Sequence, residues 1–554
     1  MAKQRSRCAR AKDGGSCAES FQITIAKSED GASHRLPRAW VGASEAALTA
    51  RQVQASCCEP RGTIFVRVAG SDDFAAVAPT VRSVLAQIGV SCAPVIVADA
   101  ANIARARAAL GKALAGSAQF VTSEAASGFA LAPDSWAGVL SPGDWLAPDA
   151  AAQMLLAAAE DQESRFVYCD ESCIDPASGD RLPFFKPDWS PELLESFNYI
   201  GRFWLSKAGL GMTAAGIAAE SEYGLVLKLT GSGAVSHARQ LLCYRGREAL
   251  DSDIAALKAL RGHAARKGIA GKPVPAAIEG QWRFQPQAGI RANVSIIIPT
   301  CGAGTHIQTC LTALRERTDH SNFEIIVIDN IPKRNRGAKK FIRRHADRVV
   351  EIAGAFNWSR FNNHAARHAK GDYLLFLNDD IAVSDPTWLE GMLAVAGRDG
   401  VGVVGPRLLY PDGKVQHGGM FLARQGIARH AFRFLDQHEA GYFGLAQAMR
   451  NVSAVTGACL LVARAVFDGL GGFDERYDII NNDLDFCLRV RESGKRIVYA
   501  PQVTLTHHEL ASRAGLSEAF DDARFLARWG AAFAAGDPYH HPNLRTDCDD
   551  LVLD

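Results

Sequence analysis

The chain lacks several things that would define it early. No segment reaches the roughly 18 uninterrupted apolar residues that a spanning helix needs; the best, "SAVTGACLLVARAVF", is shorter and carries Arg464. Membrane contact, if it occurs, is therefore expected to be peripheral. Net charge is almost absent, at +1 over 554 residues, so no global pull toward nucleic acid is expected and nucleic acid is not a foreseen partner. Cysteine arithmetic also fails: 13 thiols, an odd number, sit in varied contexts including adjacent Cys57-Cys58. That is no disulfide framework, and a reducing cytoplasm is the simpler setting. Cys169 and Cys173 in "CDESC" lack a second pair at zinc-finger spacing. The basic N-terminus, "MAKQRSRCARAKDGGSCAES", has no apolar stretch behind it and does not read as a secretory signal.

What is present is an ordinary globular composition, 48% hydrophobic and 22% charged, on a chain too long for one core. Residues 1–60 carry little pattern and are expected to be irregular or poorly ordered. From Thr63 the series strand "TIFVRVA", helix "APTVRSVLAQIG", strand "APVIVAD" suggests a parallel sheet. A like series returns later: strand "NVSIIIPT", helix "HIQTCLTALRERT", strand "FEIIVIDN", basic helix "KKFIRRHADRVVEI", strand "YLLFLNDD". Two α/β units of similar order argue for an internal repeat, 61–270 and 294–554, joined by a Gly/Pro/Ala-rich linker at 271–293.

The second unit has a legible site. Its strands end on Thr300, Asp329 and Asp380, and ligands of open parallel sheets bind beyond the carboxyl ends of strands. An apolar run ending on adjacent Asp379 and Asp380 implies a cation, since buried carboxylates must be compensated. Solvated turn residues are the bland alternative.

Residues 294 to about 513 resemble the bacterial family-2 glycosyltransferases of polysaccharide and O-antigen type, which have a GT-A fold. Nine fragments match in order, among them "VSIIIPT", "EIIVIDN", "FNWSRFNNHAARHAKGDYLLFLNDD", "VGVVGPRLLYPDGKVQHGGM", "NNDLDFCLRVRESGKRIVYAP" and "THHELASR". The resemblance implies an α/β chain of two tandem GT-A-like domains and inverting transfer from a nucleotide-sugar donor. The acceptor would be a glycan, free or lipid-linked, of a surface polysaccharide or O-antigen. It also implies a divalent metal, Mn²⁺ or Mg²⁺, hard ions that use one or two carboxylates plus phosphates.

Residue by residue, Asn378-Asp379-Asp380 stands at the family's Asp-x-Asp motif, making Asp380 the metal ligand and Asp379 a nucleotide contact. Asp483 aligns with the catalytic base; Asp485 is either an alternative or a helix N-terminal carboxylate. Thr300, Asp329, Asn357, Ser359 and Asn363 are expected around the nucleotide. Gly418, Gly419 and Gly457 either face donor and acceptor sugars or serve tight turns. His507, with His508 in reserve, is expected to complete the metal site, although Leu510 replaces the family's usual serine.

The first unit matches less well. "LSPGDWL" puts Ser141 and Gly143 where carboxylates belong, leaving Asp144, and "SEYGLVLKL" puts Glu222 and Gly224 at the acidic pair. It is expected to be degenerate. A basic cluster, Lys333, Arg334, Arg336, Lys339, Lys340, Arg343 and Arg344, reads as a solvated helix face or as a contact for an anionic membrane surface. Two rival functions stay open: a non-catalytic carbohydrate-binding scaffold of decayed transferase units, and a metal-dependent nucleotidyltransferase.

Overall fold

The computed structural model describes residues 61–553, apart from 133–134, 175–179, 209–211, 232, 247–251, 288, 424–427 and 509–518. The N-terminal segment and Leu510 lie outside the described residues. No described helix is long and apolar enough to cross a membrane.

Two large mixed sheets dominate. The first comprises β1 (Arg61–Arg67), β2 (Ser91–Ala98), β3 (Gln119–Thr122), β4 (Trp136–Leu140), β5 (Trp145–Leu146), β6 (Ser164–Ile174), β7 (Arg181–Phe184), β8 (Trp204–Lys207) and β9 (Ala234–Tyr244). After a hairpin of β10 (Lys272–Pro275) and β11 (Trp282–Gln285), the second sheet takes β12 (Val294–Thr300), β13 (Phe323–Asp329), β14 (Arg348–Glu351), β15 (Tyr373–Leu377), β16 (Ile381–Ala382), β17 (Val401–Leu409) and β18 (Val415–His417). A separate pair, β19 (Met420–Leu422) and β20 (Ala428–His430), precedes its last strands, β21 (Arg450–Asn451), β22 (Cys459–Ala463) and β23 (Arg496–His507).

The strand orders coincide. The first runs β3-β2-β1-β4-β8-β6-β9-β5 with β7 on β6; the second runs β14-β13-β12-β15-β22-β17-β23-β16 with β18 on β17. Each strand of the first has a counterpart in the second, which adds β21 on β23, and the match extends to parallel β1–β2 and β12–β13 and antiparallel β4–β8 and β15–β22. The central strand β12 is buried along its whole length, as its unbroken apolar run demands of a strand covered on both faces.

One expectation needs correction. The segment 271–293 is not a bare linker: in β11, Trp282 and Phe284 are buried while Arg283 and Gln285 are exposed, and the hairpin packs into the core. Period-two alternation hides there among the glycines and prolines. The two units also share apolar core. One apolar cluster includes Phe184, Phe185 and Trp204 together with Phe421, Phe432 and Leu445. Polar clasps reinforce that seam: Ser190 Oγ donates to Asn451 Oδ1 at 2.7 Å, and Arg496 pairs with Glu192 at 2.9 Å. Asp170, wholly buried, meets His237 Nε2 and His541 Nε2 at 3.0 Å each.

Candidate active site

The carboxyl ends of β12, β13 and β15 converge as anticipated. Thr300 closes β12, and its Oγ1 donates to Asp379 Oδ2 at 2.5 Å. Burial, with a further contribution from the neighbouring Asp380 charge, pushes the Asp379 carboxyl up to about 6; an added cation would relieve that repulsion.

β16 and β23 set the next contact. Their antiparallel register places Ile381 opposite His507, so the residue just before β16 comes beside the end of β23. His507 Nε2 lies 3.1 Å from Asp380 Oδ1, and the His508 N–H donates to the Asp380 carbonyl at 3.1 Å. On the other side His507 Nδ1 donates to Gln416 Oε1 at 2.6 Å. That contact orients the ring so that Nε2 points at Asp380, the arrangement by which outer groups fix a ligating histidine. Gln416 was hidden in the sequence within "VQHGG", where the glycines attract attention. His306, the first residue of the helix His306–Glu316, was also missed: it acts electrostatically on Asp379, and its ring centroid is 6.1 Å from that of His508.

Among the described residues no three His, Cys, Asp or Glu side chains converge to hold an ion by themselves. The pair Asp380–His507 fits a half-site, because a hard cation bound with a diphosphate takes few protein ligands and fills the rest from phosphate and water. His508 contributes its backbone to this corner.

The helix Asn482–Glu492 separates the two candidate bases. At about 100° per residue, positions two apart point to opposed sides of a helix. Asp483 faces the crevice loop, its Oδ2 accepting the Gly457 N–H at 2.7 Å. Asp485 faces inward and is wholly buried, accepting from Arg489 Nε at 2.8 Å and Trp529 Nε1 at 3.0 Å, with Arg528 at 3.1 Å. It ties this helix to the helix Ala519–Ala535. Asn481, at φ 61°, turns the chain into the helix in a conformation uncommon outside glycine.

Other expected contacts take structural roles instead. Asn357 caps the helix Trp358–Ala366, accepting from Arg360 N, while its Nδ2 donates to the Glu475 carbonyl at 2.9 Å and to Asp478. Ser359 Oγ donates to the Tyr477 carbonyl at 2.8 Å, and Asn363 exchanges hydrogen bonds with the Phe473 backbone. All three side chains clamp residues 473–478. Asp329 is buried under Lys339, whose Nζ reaches its two oxygens at 2.7 and 2.6 Å; a nucleotide would meet the pair, not a bare carboxylate. Lys339, grouped with surface cations by its sequence, thus belongs to the crevice. A Cβ on Gly418 would stand 2.7 Å from the Ala431 carbonyl, and one on Gly419, at φ +88°, 2.5 Å from Val452. These glycines serve close packing. Gly457 does so as well, against Trp358 at 2.9 Å, while holding Asp483.

In the first sheet, the loop after β4 is filled from within. Arg202, buried, donates from Nη1 to Ser141 Oγ at 2.6 Å and Glu222 Oε2 at 2.5 Å, and its Nε lies 3.7 Å from Asp144 Oδ2. Asp144 also accepts from Ser141 N and Gly246 N.

Fold and site define a mixed α/β protein whose acidic and imidazole groups gather beyond parallel strand ends. Residues 295–469 match the family model for glycosyl transferase family 2, which places that segment in the family. It is 34% identical over 448 residues to the O-antigen biosynthesis protein RfbC of Myxococcus xanthus, covering 76% of this chain and 35% of that protein. It is 30% identical over 153 residues to the N-acetylglucosaminyl-diphospho-decaprenol L-rhamnosyltransferase of Mycobacterium tuberculosis, covering 26% and 48%. The chain therefore spans about a third and a half of those relatives' lengths. A solved structure of GalNAc-T7 with UDP, GalNAc and Mn²⁺ overlaps 46% of this chain and 51% of its own at 15% identity, with a TM-score of 0.37.

Proposed function

We propose that the second unit is an inverting, metal-dependent glycosyltransferase, and the first a degenerate GT-A-like copy that supports it. The donor is a nucleotide-sugar and the acceptor a glycan of a surface polysaccharide or O-antigen, the process for which the Myxococcus relative is named. The observation that carries this reading is the Asp380–His507 pair at 3.1 Å, assembled at the end of β15 from distant parts of the chain.

Asp380 and His507 hold the cation, Mn²⁺ or Mg²⁺. When bound, it supplies Lewis-acid neutralisation of the departing nucleoside diphosphate. Thr300 and Asp379 line the floor beneath the diphosphate, and Lys339 with Asp329 stands beside the nucleoside. Asp483, oriented by the Gly457 N–H, takes the proton from the acceptor hydroxyl as that oxygen attacks the anomeric carbon.

Incubating the purified full chain with a panel of nucleotide-sugars and either metal tests this. Release of nucleoside diphosphate is expected; release of pyrophosphate would identify a nucleotidyltransferase, and no turnover with intact glycan binding would identify a scaffold. Asp483→Asn should lower turnover by about two to four orders of magnitude, with nucleotide affinity by calorimetry unchanged. Near-normal turnover in that variant removes Asp483 as the base.

A further inference from the structure

The helix Arg336–His345 has an unusual surface. Ala338 and Ile342 are buried against the second sheet, and Lys339 is drawn down to Asp329. Arg336, Lys340 and Arg344, spaced i, i+4, i+8, are all exposed and so form one stripe along the helix. Lys333 and Arg334 extend it before the helix, and Arg348 continues it on the edge strand β14; these too are exposed. None of the six makes an ion pair within the described residues. The nearby acids are mostly taken: Asp347 pairs with Arg315 at 2.6 Å, and Glu351 with Arg343 at 2.7 Å. Exposed Glu316 ends the adjoining helix His306–Glu316 and is followed by exposed Arg317.

This concentration is not the reflection of a basic protein, because the whole chain carries only +1. Nor does it help the helix. Like charges at i, i+4 repel, and Arg336 in the first turn opposes the helix dipole, with only Arg344 in the last turn favoured by it. The stripe also has a particular address. Asn335 Nδ2 donates to the Gly302 carbonyl at 3.1 Å, so Lys333 and Arg334 stand by the loops after β12 and β13, at the rim of the candidate active site.

We propose that this stripe is a docking surface for an anionic lipid bilayer, holding the rim of the site against the membrane face. The exposed side chains that form the stripe are all cations, so the attachment is electrostatic, shallow and reversible, and is screened within about 10 Å at 0.1 M salt. Its purpose, delivery of the site to a lipid-linked acceptor, rests on the transferase reading; the binding itself does not.

The test is flotation of the full chain with vesicles of phosphatidylglycerol and phosphatidylcholine, against vesicles of phosphatidylcholine alone. Binding to the first only, lost on raising salt from 50 to 500 mM, is expected. The triple variant Arg336→Glu/Lys340→Glu/Arg344→Glu should reduce partitioning at least tenfold, and Lys333→Gln/Arg334→Gln, outside the helix, should reduce it less. Donor turnover on a soluble acceptor should be unchanged in both. Failure of the native chain to float with anionic vesicles, equal flotation of the triple variant, or tighter retention on DNA than on vesicles would each overturn the proposal. If vesicles bind yet no nucleotide-sugar is turned over, the enzymatic reading fails and the membrane surface stands.

Discussion

The two sheets follow one strand order and arrive at opposite electrostatics. Where the second sheet's chain leaves β15 it meets Asp379 and Asp380, with His507 across from them and a carboxyl pushed up by burial and a like charge. Where the first sheet's chain leaves β4 it meets Ser141 and Asp144, and the guanidinium of Arg202 already lies between Asp144 and Glu222. One crevice is short of positive charge; the other carries its own. An arginine cannot be exchanged, supplies hydrogen bonds but no Lewis acidity, and takes up space an ion would need. Identical topology therefore says little about function until the charges at the strand ends are read.

The sharpest way to break this contrast is a matched pair of carboxylate variants. Asp380→Ala should abolish transfer, whereas Asp144→Ala should leave most of it, each measured as nucleoside diphosphate release at saturating metal. A more damaging Asp144→Ala would reverse the roles of the two units. A smaller but still large effect is expected on stability. Arg202→Met leaves Glu222 and Asp144 buried without their cation and should cost about 3–5 kcal/mol in denaturant unfolding. The double variant Arg202→Met/Glu222→Leu should recover part of that loss. A cost near that of an exposed arginine would mean water already reaches the crevice.

The smallest effect is one of pH, at the seam. Burial opposes a charged His237, but the carboxylates of Asp170 and Asp188 outweigh it and hold its pKa above the ordinary value. A raised histidine contributes stability that is complete below about pH 6.5 and is lost as pH climbs through the folded value. Asp170, held well down despite burial by His237 and His541, contributes above about pH 4 and loses it only in strong acid. The melting temperature should therefore fall by a few degrees between pH 6 and pH 9 more steeply in the native chain than in His237→Asn. Parallel curves would show that His237 is neutral throughout.

Much of the site was legible because parallel strands announce their ends. Apolar runs that stop on Thr300, Asp329 or Asp379 mark the crevice without any tertiary knowledge, and the missing acids of the first unit are equally plain. Asp483 and Asp485 could be told apart only once the helix had a defined neighbour on each side. Asn357, Ser359 and Asn363 are polar for a local backbone reason, the clamping of residues 473–478, which no motif spacing reveals. Gln416, Lys339 and Arg202 act through partners far away in sequence, and such pairings leave no periodic trace.

The clasp between Asp170 and His541 has a consequence for how the protein is made. A ribosome delivers the first sheet early, with a buried carboxylate and no His541 to meet it, and nearly the whole second unit must follow before that partner appears. During that interval Asp170 has His237 and the Lys186 N–H at hand but not His541, and the apolar surface awaiting Phe421, Phe432 and Leu445 stays wet. The nascent chain is thus dependent on its own later half, and a premature stop before residue 541 would injure the part already synthesised.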